Sequence, residues 1–231
     1  MEFKQLNLVT AALTERFAQT VATTPIDENP YAEMKYPRVL PMMHFTTRQY
    51  RAEGFGRVFA MYTKAMGGLM QLSTVVFTPC CGGNVPLLLI DSMAMGKKRA
   101  AFVEYYDCTL GETVGVEKLR AVHEKYASLP DYAEKPAWYI AERTDYSLIK
   151  GGEDDAALLG MLLDSVEAYA AVASQNTAQS QANKEGLAKF VERMVTQGNP
   201  SSETMNKVLG TDGAESFFRN AVMPLTLNQT K

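Results

Sequence analysis

Four short segments rich in Val, Phe, Tyr, Leu and Thr follow one another between about Leu40 and Asp107, and they restrict the fold more than any other feature. The breaks between them, at residues 67–68, 82–84 and 96–98, are too short for the helical crossover that parallel strands need. An antiparallel meander is therefore predicted. Within it, the nearly continuous run LLLI predicts a central strand covered on both faces. The four segments are GRVFAMYTKAM, LMQLSTVVFTP, NVPLLLIDSMAM and RAAFVEYYDC.

Helical spacing of apolar residues is found on both sides of this region. Residues 3–22 predict an amphipathic surface helix, and residues 23–37, with three prolines, predict a connecting loop. The segment TDYSLIKG predicts one more strand. No repeat or second composition regime is visible, so residues 1–231 are expected to form a single domain with helices packed over one sheet. Further helices are predicted over residues 114–127, 156–172, 183–196, 203–209 and 214–222.

Composition limits the partners and the compartment. The net charge is -3, with 46% apolar and 21% charged residues, which is ordinary for a globular protein and unlike a nucleic-acid-binding one. The three cysteines give no disulfide framework and favour a reducing compartment. The start of the chain lacks the pattern of a signal peptide, and the longest apolar stretch, around VPLLLI, is too short to span a bilayer. A cytoplasmic protein with no nucleic-acid or membrane partner is expected.

Several common kinds of chemistry have no support in the sequence. There is no Gly-rich dinucleotide fingerprint and no phosphate loop. With only His44 and His123, a histidine-rich metal site is excluded. The adjacent Cys80 and Cys81 lack the spacing of a zinc or redox motif. No bound metal or nucleotide is expected.

Asp91 is the residue that does not match its surroundings. It lies inside VPLLLIDSMAM, where a carboxylate on a covered central strand is costly to desolvate. Burial raises the pKa of an aspartate, so the group can remain protonated near neutrality and donate a proton. The alternative is that Asp91 ends the strand or is satisfied by backbone donors or a nearby cation.

The stretch LSTVVFTPCCGGNVPLLLIDSMAMGKKRAAFVEYYD resembles the central strands of the ferredoxin-dependent bilin reductases, which are related to red chlorophyll catabolite reductase. In that family an aspartate follows a proline by five residues, as Asp91 follows Pro86 here. The Pro-Ala-Trp at residues 136–138 resembles the family's Pro-x-Trp. The order of aromatic, Asn-containing and Gly-containing segments near the C-terminus is also similar. The pieces match in order over most of residues 45–225.

The resemblance implies a three-layer α/β/α sandwich with a linear tetrapyrrole between the sheet and the C-terminal helices. It implies no bound metal or flavin, single electrons from reduced ferredoxin, or from flavodoxin, and protons from the protein. Asp91 would protonate and orient the bilin. The chain departs from the family at the histidine on the preceding strand, where it has Ser73 or Thr74. It also departs at a glutamate before that, where it has Met61 or Tyr62.

The expected ligand contacts follow from these departures. The family's Asn-Asp-Lys becomes Asn199-Pro200-Ser201, which removes one cation for a propionate. Arg99, whose forked donors suit a carboxylate, and Lys135 are the candidates to replace it, although each can equally be a solvated surface charge. Ser73 and Asn199 complete the expected set of ligand-binding residues. Lys97, Lys98 and Arg99 form the expected docking cluster for an acidic electron carrier.

Three functions remain open from the sequence. The first is a reductase acting on a bilin or a related open tetrapyrrole, with Asp91 as proton donor. The second is a non-catalytic protein that binds a tetrapyrrole or a similar flat apolar ligand, which the loss of the histidine and glutamate favours. The third is a structural domain without a small ligand. The reductase is the preferred hypothesis.

Overall fold

Eight strands form one antiparallel sheet in the computed structural model, which describes residues 1–37 and 39–227. The strand order is β1-β3-β4-β5-β6-β7-β8, and β2 also pairs with β3. From β3 to β7 every strand pairs with its successor, so the predicted meander is confirmed. The strands are β1 (Thr23–Pro25), β2 (Glu33–Tyr36), β3 (Met43–Ala52), β4 (Gly56–Ala65), β5 (Met70–Thr78), β6 (Leu87–Met95), β7 (Lys98–Tyr106) and β8 (Leu148–Gly151).

Two of these strands lie where the sequence predicts a loop. β1 and β2 both fall within residues 23–37, and both are short strands whose ladder partner is β3. Their backbone groups are satisfied by a partner distant in sequence, which local proline content does not reveal. The loop prediction is wrong at these two segments. The further strand predicted in TDYSLIKG is confirmed as β8, which extends the sheet beyond β7.

The middle of the sheet is buried on both faces. Leu87, Leu88, Leu89 and Ile90 of β6 are all buried, as the continuous apolar run predicts. Alternation along the strand places Leu88 and Ile90 in the core on one face and Leu87 and Leu89 in the core on the other. Asp91 follows the second set.

Three helices cover the first face: α1 (Leu6–Ala18), α2 (Glu117–Tyr126) and α3 (Asp155–Gln175). Asp154 begins α3 by accepting a hydrogen bond from the amide of Ala157 at 2.9 Å. α3 is long and apolar enough to cross a membrane by length and composition, with a mean hydropathy of 1.5. Its residues Leu162, Val166 and Tyr169 are fully buried in the core, which accounts for that composition without a membrane.

The C-terminal helices cover the second face: α4 (Gln181–Thr196), α5 (Ser202–Leu209) and α6 (Thr211–Phe217), which continues as one π-helical turn over Phe218–Val222. Phe190 of α4 and Phe217 of α6 share a core with Phe59 and Leu89 of the sheet. Helices therefore lie on both sides of a central antiparallel sheet. The expected three-layer α/β/α sandwich is confirmed.

Candidate active site

Asp91 lies on the face of β6 that the C-terminal helices cover. It pairs directly with Thr74 of β5, whose hydroxyl donates a hydrogen bond to Oδ1 of Asp91 at 2.5 Å. Protein surrounds the carboxyl except where it meets a cavity, so the residue is partly accessible although it lies deep in the fold. Burial raises the pKa of Asp91 to about 6, against the lowering effect of the Thr74 hydrogen bond.

A second acid, Glu104 of β7, lines the same cavity and is 2% exposed. Its Oε1 accepts hydrogen bonds from the hydroxyl of Tyr106 at 2.8 Å and from Nε of Arg143 at 2.5 Å. Burial raises the pKa of Glu104 to about 7, and the negative charge of Asp91 adds to that rise while Arg143 opposes it. Arg143 is itself held by Glu134, which accepts from Nη1 at 2.5 Å and from Nη2 at 2.8 Å.

The cavity has a volume of about 420 Å³, within the range of sites for small organic ligands. Its floor is the sheet, and its walls come from the loop at residues 132–135, from Tyr139 and from the connection between α4 and α5. Apolar and polar groups alternate around it. The lining residues are Leu72, Thr74, Asp91, Ser92, Met93, Phe102, Glu104, Tyr132, Ala133, Glu134, Lys135, Tyr139, Arg143, Pro200 and Ser201.

This arrangement suits proton transfer to a bound molecule. Two carboxyl groups with pKa values of about 6 and about 7 each keep a protonated fraction near neutrality. The negative charge of Asp91 also discourages ionisation of Glu104, because two negative charges in one buried site repel. In the described ranges, 1–37 and 39–227, no group of three or more His, Cys, Asp and Glu side chains is placed to hold a metal ion.

The structure brings some of the residues predicted from sequence to this cavity. Asp91 and Lys135 both line it. Asn199 does not, although Pro200 and Ser201 beside it do. The side chain of Asn199 is used within the turn between α4 and α5. There its Nδ2 donates to the carbonyl of Met194 at 3.1 Å, and its Oδ1 accepts from the amide of Ser201 at 3.0 Å.

Ser73 and Arg99 lie on the other face of the sheet, so the prediction that they join Asp91 in one cavity is corrected here. Side chains alternate along a strand, and Ser73 accepts a hydrogen bond from Thr10 of α1 at 2.7 Å. Arg99 pairs with Asp155 at the start of α3, with Nε 3.0 Å from Oδ1. Of the pair Ser73 and Thr74, Thr74 is the residue opposite the acid. Tyr62 also belongs to the α1 face, where its hydroxyl donates to Gln71.

Glu104 is absent from the sequence-based set, although a signal for it exists. It alternates with Phe102 and Tyr106 on β7, so it is an acid on the buried face of an apolar strand. That is the same anomaly that singles out Asp91 on β6. Glu104 is easily overlooked because β7 is short and aromatic residues lie on both sides of it in the sequence.

A larger groove of about 650 Å³ lies on the first face, between α1 and strands β1, β3 and β4. Its charged lining residues, Glu15 and Arg48, are both exposed, and it contains no buried acid or base. Water screens exposed charges of this kind, so their interactions with other charged groups are weak. The smaller cavity beside Asp91 is therefore the candidate active site.

No known protein family matches the sequence, and no curated protein matches it. Among solved structures, the chain is similar to phytochromobilin synthase from tomato, a selenomethionine crystal structure in complex with biliverdin. The TM-score is 0.75 and the sequence identity 11%, over 93% of this chain and 80% of that chain. The likeness is one of fold. It agrees with the fold that the strand motifs imply, and it does not establish an activity.

Proposed function

We propose that the protein binds a linear tetrapyrrole, or a similar flat apolar ligand, in the Asp91 cavity and reduces it. The observation that carries this proposal is a buried acid, with its pKa raised to about 6, facing a cavity on the side of the sheet covered by the C-terminal helices. The biliverdin complex of phytochromobilin synthase, a protein of the same fold, supports the choice of ligand.

The proposed reaction adds two electrons and two protons across one double bond of the ligand. Reduced ferredoxin or flavodoxin delivers the electrons one at a time and is oxidised. Asp91 gives one proton to the ligand and is reprotonated from solvent. A ligand that is protonated first accepts an electron more readily, because the positive charge stabilises the reduced state.

Glu104 is the proposed source of the second proton. The family pattern supplies a histidine and a glutamate on the strands before the aspartate, and this chain has neither. Glu104 is on the strand after Asp91 and lines the same cavity, with its pKa raised to about 7. It can therefore replace the missing acids from the other side of β6.

Lys135 and Ser201 are proposed to hold the carboxylates of the ligand. Both line the cavity from loops that face the sheet. An ammonium group and a hydroxyl are donors that suit a carboxylate, and an ion pair within a partly enclosed cavity is stronger than one in open water. Lys135 is kept from the set predicted from sequence, and Ser201 is used in place of Arg99, Ser73 and Asn199.

One observation favours a second candidate, a binding protein without turnover. Arg143 holds Glu104 through a tight ion pair, which opposes protonation of the carboxyl. If that pair keeps Glu104 ionised once the ligand is bound, only one acid remains. The site would then have a cavity for the ligand but only one group, Asp91, that can donate a proton.

The test begins with titration of the purified protein with biliverdin, followed by visible absorption. Binding in the cavity shifts the absorption band, and Asp91→Asn should bind while giving a different band because it cannot protonate the pigment. Addition of reduced ferredoxin without oxygen should then bleach or shift the band in the wild type only. A band that shifts on binding but stays unchanged with the reductant indicates the binding protein. An unperturbed pigment contradicts both candidates.

A further inference from the structure

Three turns meet at one end of the sheet. Among the described residues they comprise 37 and 39–42 between β2 and β3, 66–69 between β4 and β5, and 96–97 between β6 and β7. The register aligns the strand ends, because Ala65 pairs with Met43 and with Met70, and Met70 pairs with Met95. We call the exposed apolar side chains at this end the turn surface: Val39, Leu40, Met42, Met66, Leu69 and Met95.

The large apolar side chains of the turn surface are exposed to solvent. Leu40 is 85% exposed, Val39 80% and Leu69 68%. Within residues 1–37 and 39–227, the turn surface contributes half of the exposed large apolar side chains. Scattered apolar residues on a surface need no explanation, whereas a cluster at one end indicates a contact.

The backbone at two of these positions is strained. Leu40 has φ of 54° and Met66 has φ of 53°, the left-handed region that glycine and asparagine occupy most easily. A bulky side chain there costs free energy, and neither residue recovers it by packing, since both are exposed. Such strain is typical of positions where a side chain contacts a ligand or another molecule.

Backbone hydrogen bonds join the three turns into one surface. The amide of Met66 donates to the carbonyl of Met42 at 3.0 Å, which links the first turn to the second. The amide of Gly96 donates to the carbonyl of Leu69 at 3.3 Å, which links the second to the third. The apolar tips are thus held at fixed positions relative to one another.

Exposed lysines lie beside the apolar tips of the turn surface. Lys64, near the end of β4, is exposed, in a chain whose net charge is -3. Lys97 and Lys98 are exposed, whereas Arg99 is engaged with Asp155. Basic side chains beside apolar tips are complementary to a surface that carries negative charge on its outside and has an apolar interior.

We propose that the turn surface docks on an anionic lipid bilayer, with the apolar tips inserted among the acyl chains and the lysines at the level of the phosphates. Separate protruding tips enter a fluid interface without needing a complementary surface, which a protein partner would have to supply. The expectation of no membrane partner rests on the lack of a spanning stretch, and peripheral docking needs none. The proposal does not depend on the ligand of the Asp91 cavity.

The test is cosedimentation of the full chain with vesicles of phosphatidylcholine alone, or of phosphatidylcholine mixed with phosphatidylserine. We expect the wild type to bind the mixed vesicles and to be released by salt. Leu40→Asn with Met66→Asn should lower the partition constant by at least about tenfold without unfolding, because asparagine tolerates the left-handed region. Lys97→Glu with Lys98→Glu should lower it by roughly fivefold for each lysine.

The matched control is Leu110→Asn with Val114→Asn. These side chains are 77% and 60% exposed and follow the opposite end of β7, so they should not change vesicle binding. The proposal is overturned if the wild type stays in the supernatant, or if it binds both vesicle types equally. It is also overturned if the asparagine pair at Leu40 and Met66 binds as well as the wild type. Self-association that this pair abolishes, or lost turnover with reduced ferredoxin without vesicle binding, would assign the surface to a protein and reject the lipid.

Discussion

The hydroxyl of Thr74 on β5 donates a hydrogen bond to Oδ1 of Asp91 on β6, with the two oxygens 2.5 Å apart. The two residues are direct partners in the strand register. The hydrogen bond favours the ionised carboxylate, whereas burial favours the neutral acid, and burial has the larger effect. The pKa of about 6 is the result of this opposition, so each contribution can be changed separately.

Thr74→Val is expected to raise the pKa of Asp91 above about 6, because it removes the donor and keeps the shape of the side chain. The pH profile of ligand reduction should then extend to higher pH. The carboxyl band of Asp91 in infrared difference spectra should titrate with it. Ser73→Ala, which changes the neighbouring residue on the opposite face, is the control and should leave the profile unchanged. A profile that does not move with Thr74→Val contradicts the role given to Asp91.

Asp91→Asn is expected to abolish reduction and to stabilise the fold above pH 6. The folded state holds the proton of Asp91 up to a pKa of about 6, against a usual value of 3.8, so wild-type stability falls as pH rises through this window. The variant has no such loss. At pH 8 it should be more stable by about 3 kcal/mol, and the difference should fall below about 1 kcal/mol at pH 4. Urea unfolding at the two pH values measures this, and equal stability at pH 8 would contradict the burial cost.

Arg143→Met should destabilise the protein by about 3–5 kcal/mol at pH 8, because it leaves the buried Glu104 without its cation. The loss should shrink as pH falls towards about 7 and level off below it, because without Arg143 the pKa of Glu104 is higher than in the wild type and the variant takes up the proton first. Adding Glu104→Gln to this variant should recover part of the stability. Arg16→Met is the matched control, since its pair with Glu167 is exposed and worth less than about 1 kcal/mol. A pH-independent loss would exclude the ion pair as its cause.

Lys135→Met is expected to weaken binding of biliverdin by roughly tenfold, because a charge-assisted contact to a propionate is lost. The dimethyl ester of biliverdin has no such carboxylate, so its binding should be the same in the variant and the wild type. Titration of both pigments, followed by absorption, measures the difference. Equal weakening of both would show that Lys135 shapes the cavity and does not pair with the ligand.

The sequence predicts the sheet well because the pattern that defines it is local. Alternation, short Gly-containing breaks and the apolar run in β6 are all properties of neighbouring residues. β1 and β2 escape prediction because they are short and their ladder partner, β3, follows them in the chain. In the same way, the helices are found to within a few residues, since each has its own apolar stripe.

The site is predicted less completely because it depends on which face each residue occupies. Asp91 is found because an acid in an apolar strand is anomalous wherever it points. The choice between Ser73 and Thr74 needs the register with β6, and the sequence does not contain it. Arg99 is misplaced for the same reason: side chains along β7 alternate between the two faces of the sheet, and Arg99 lies on the face away from the cavity. Glu104 shows the same anomaly as Asp91, and reading β7 by alternate residues reveals it.

The placement of Asp91 on β6 has a consequence for selectivity. β6 is hydrogen-bonded on both sides along its length and packed on both faces, so it is among the least movable parts of the molecule. In the proposed reaction an acid on such a support stays in place, so the ligand must move until the carbon to be protonated lies over it. We therefore expect the opposite walls, contributed by residues 132–135 and 200–201, to decide which carbon of the ligand receives the proton. Exchanging those loops, while the strand is kept, is the route to a different product from the same scaffold.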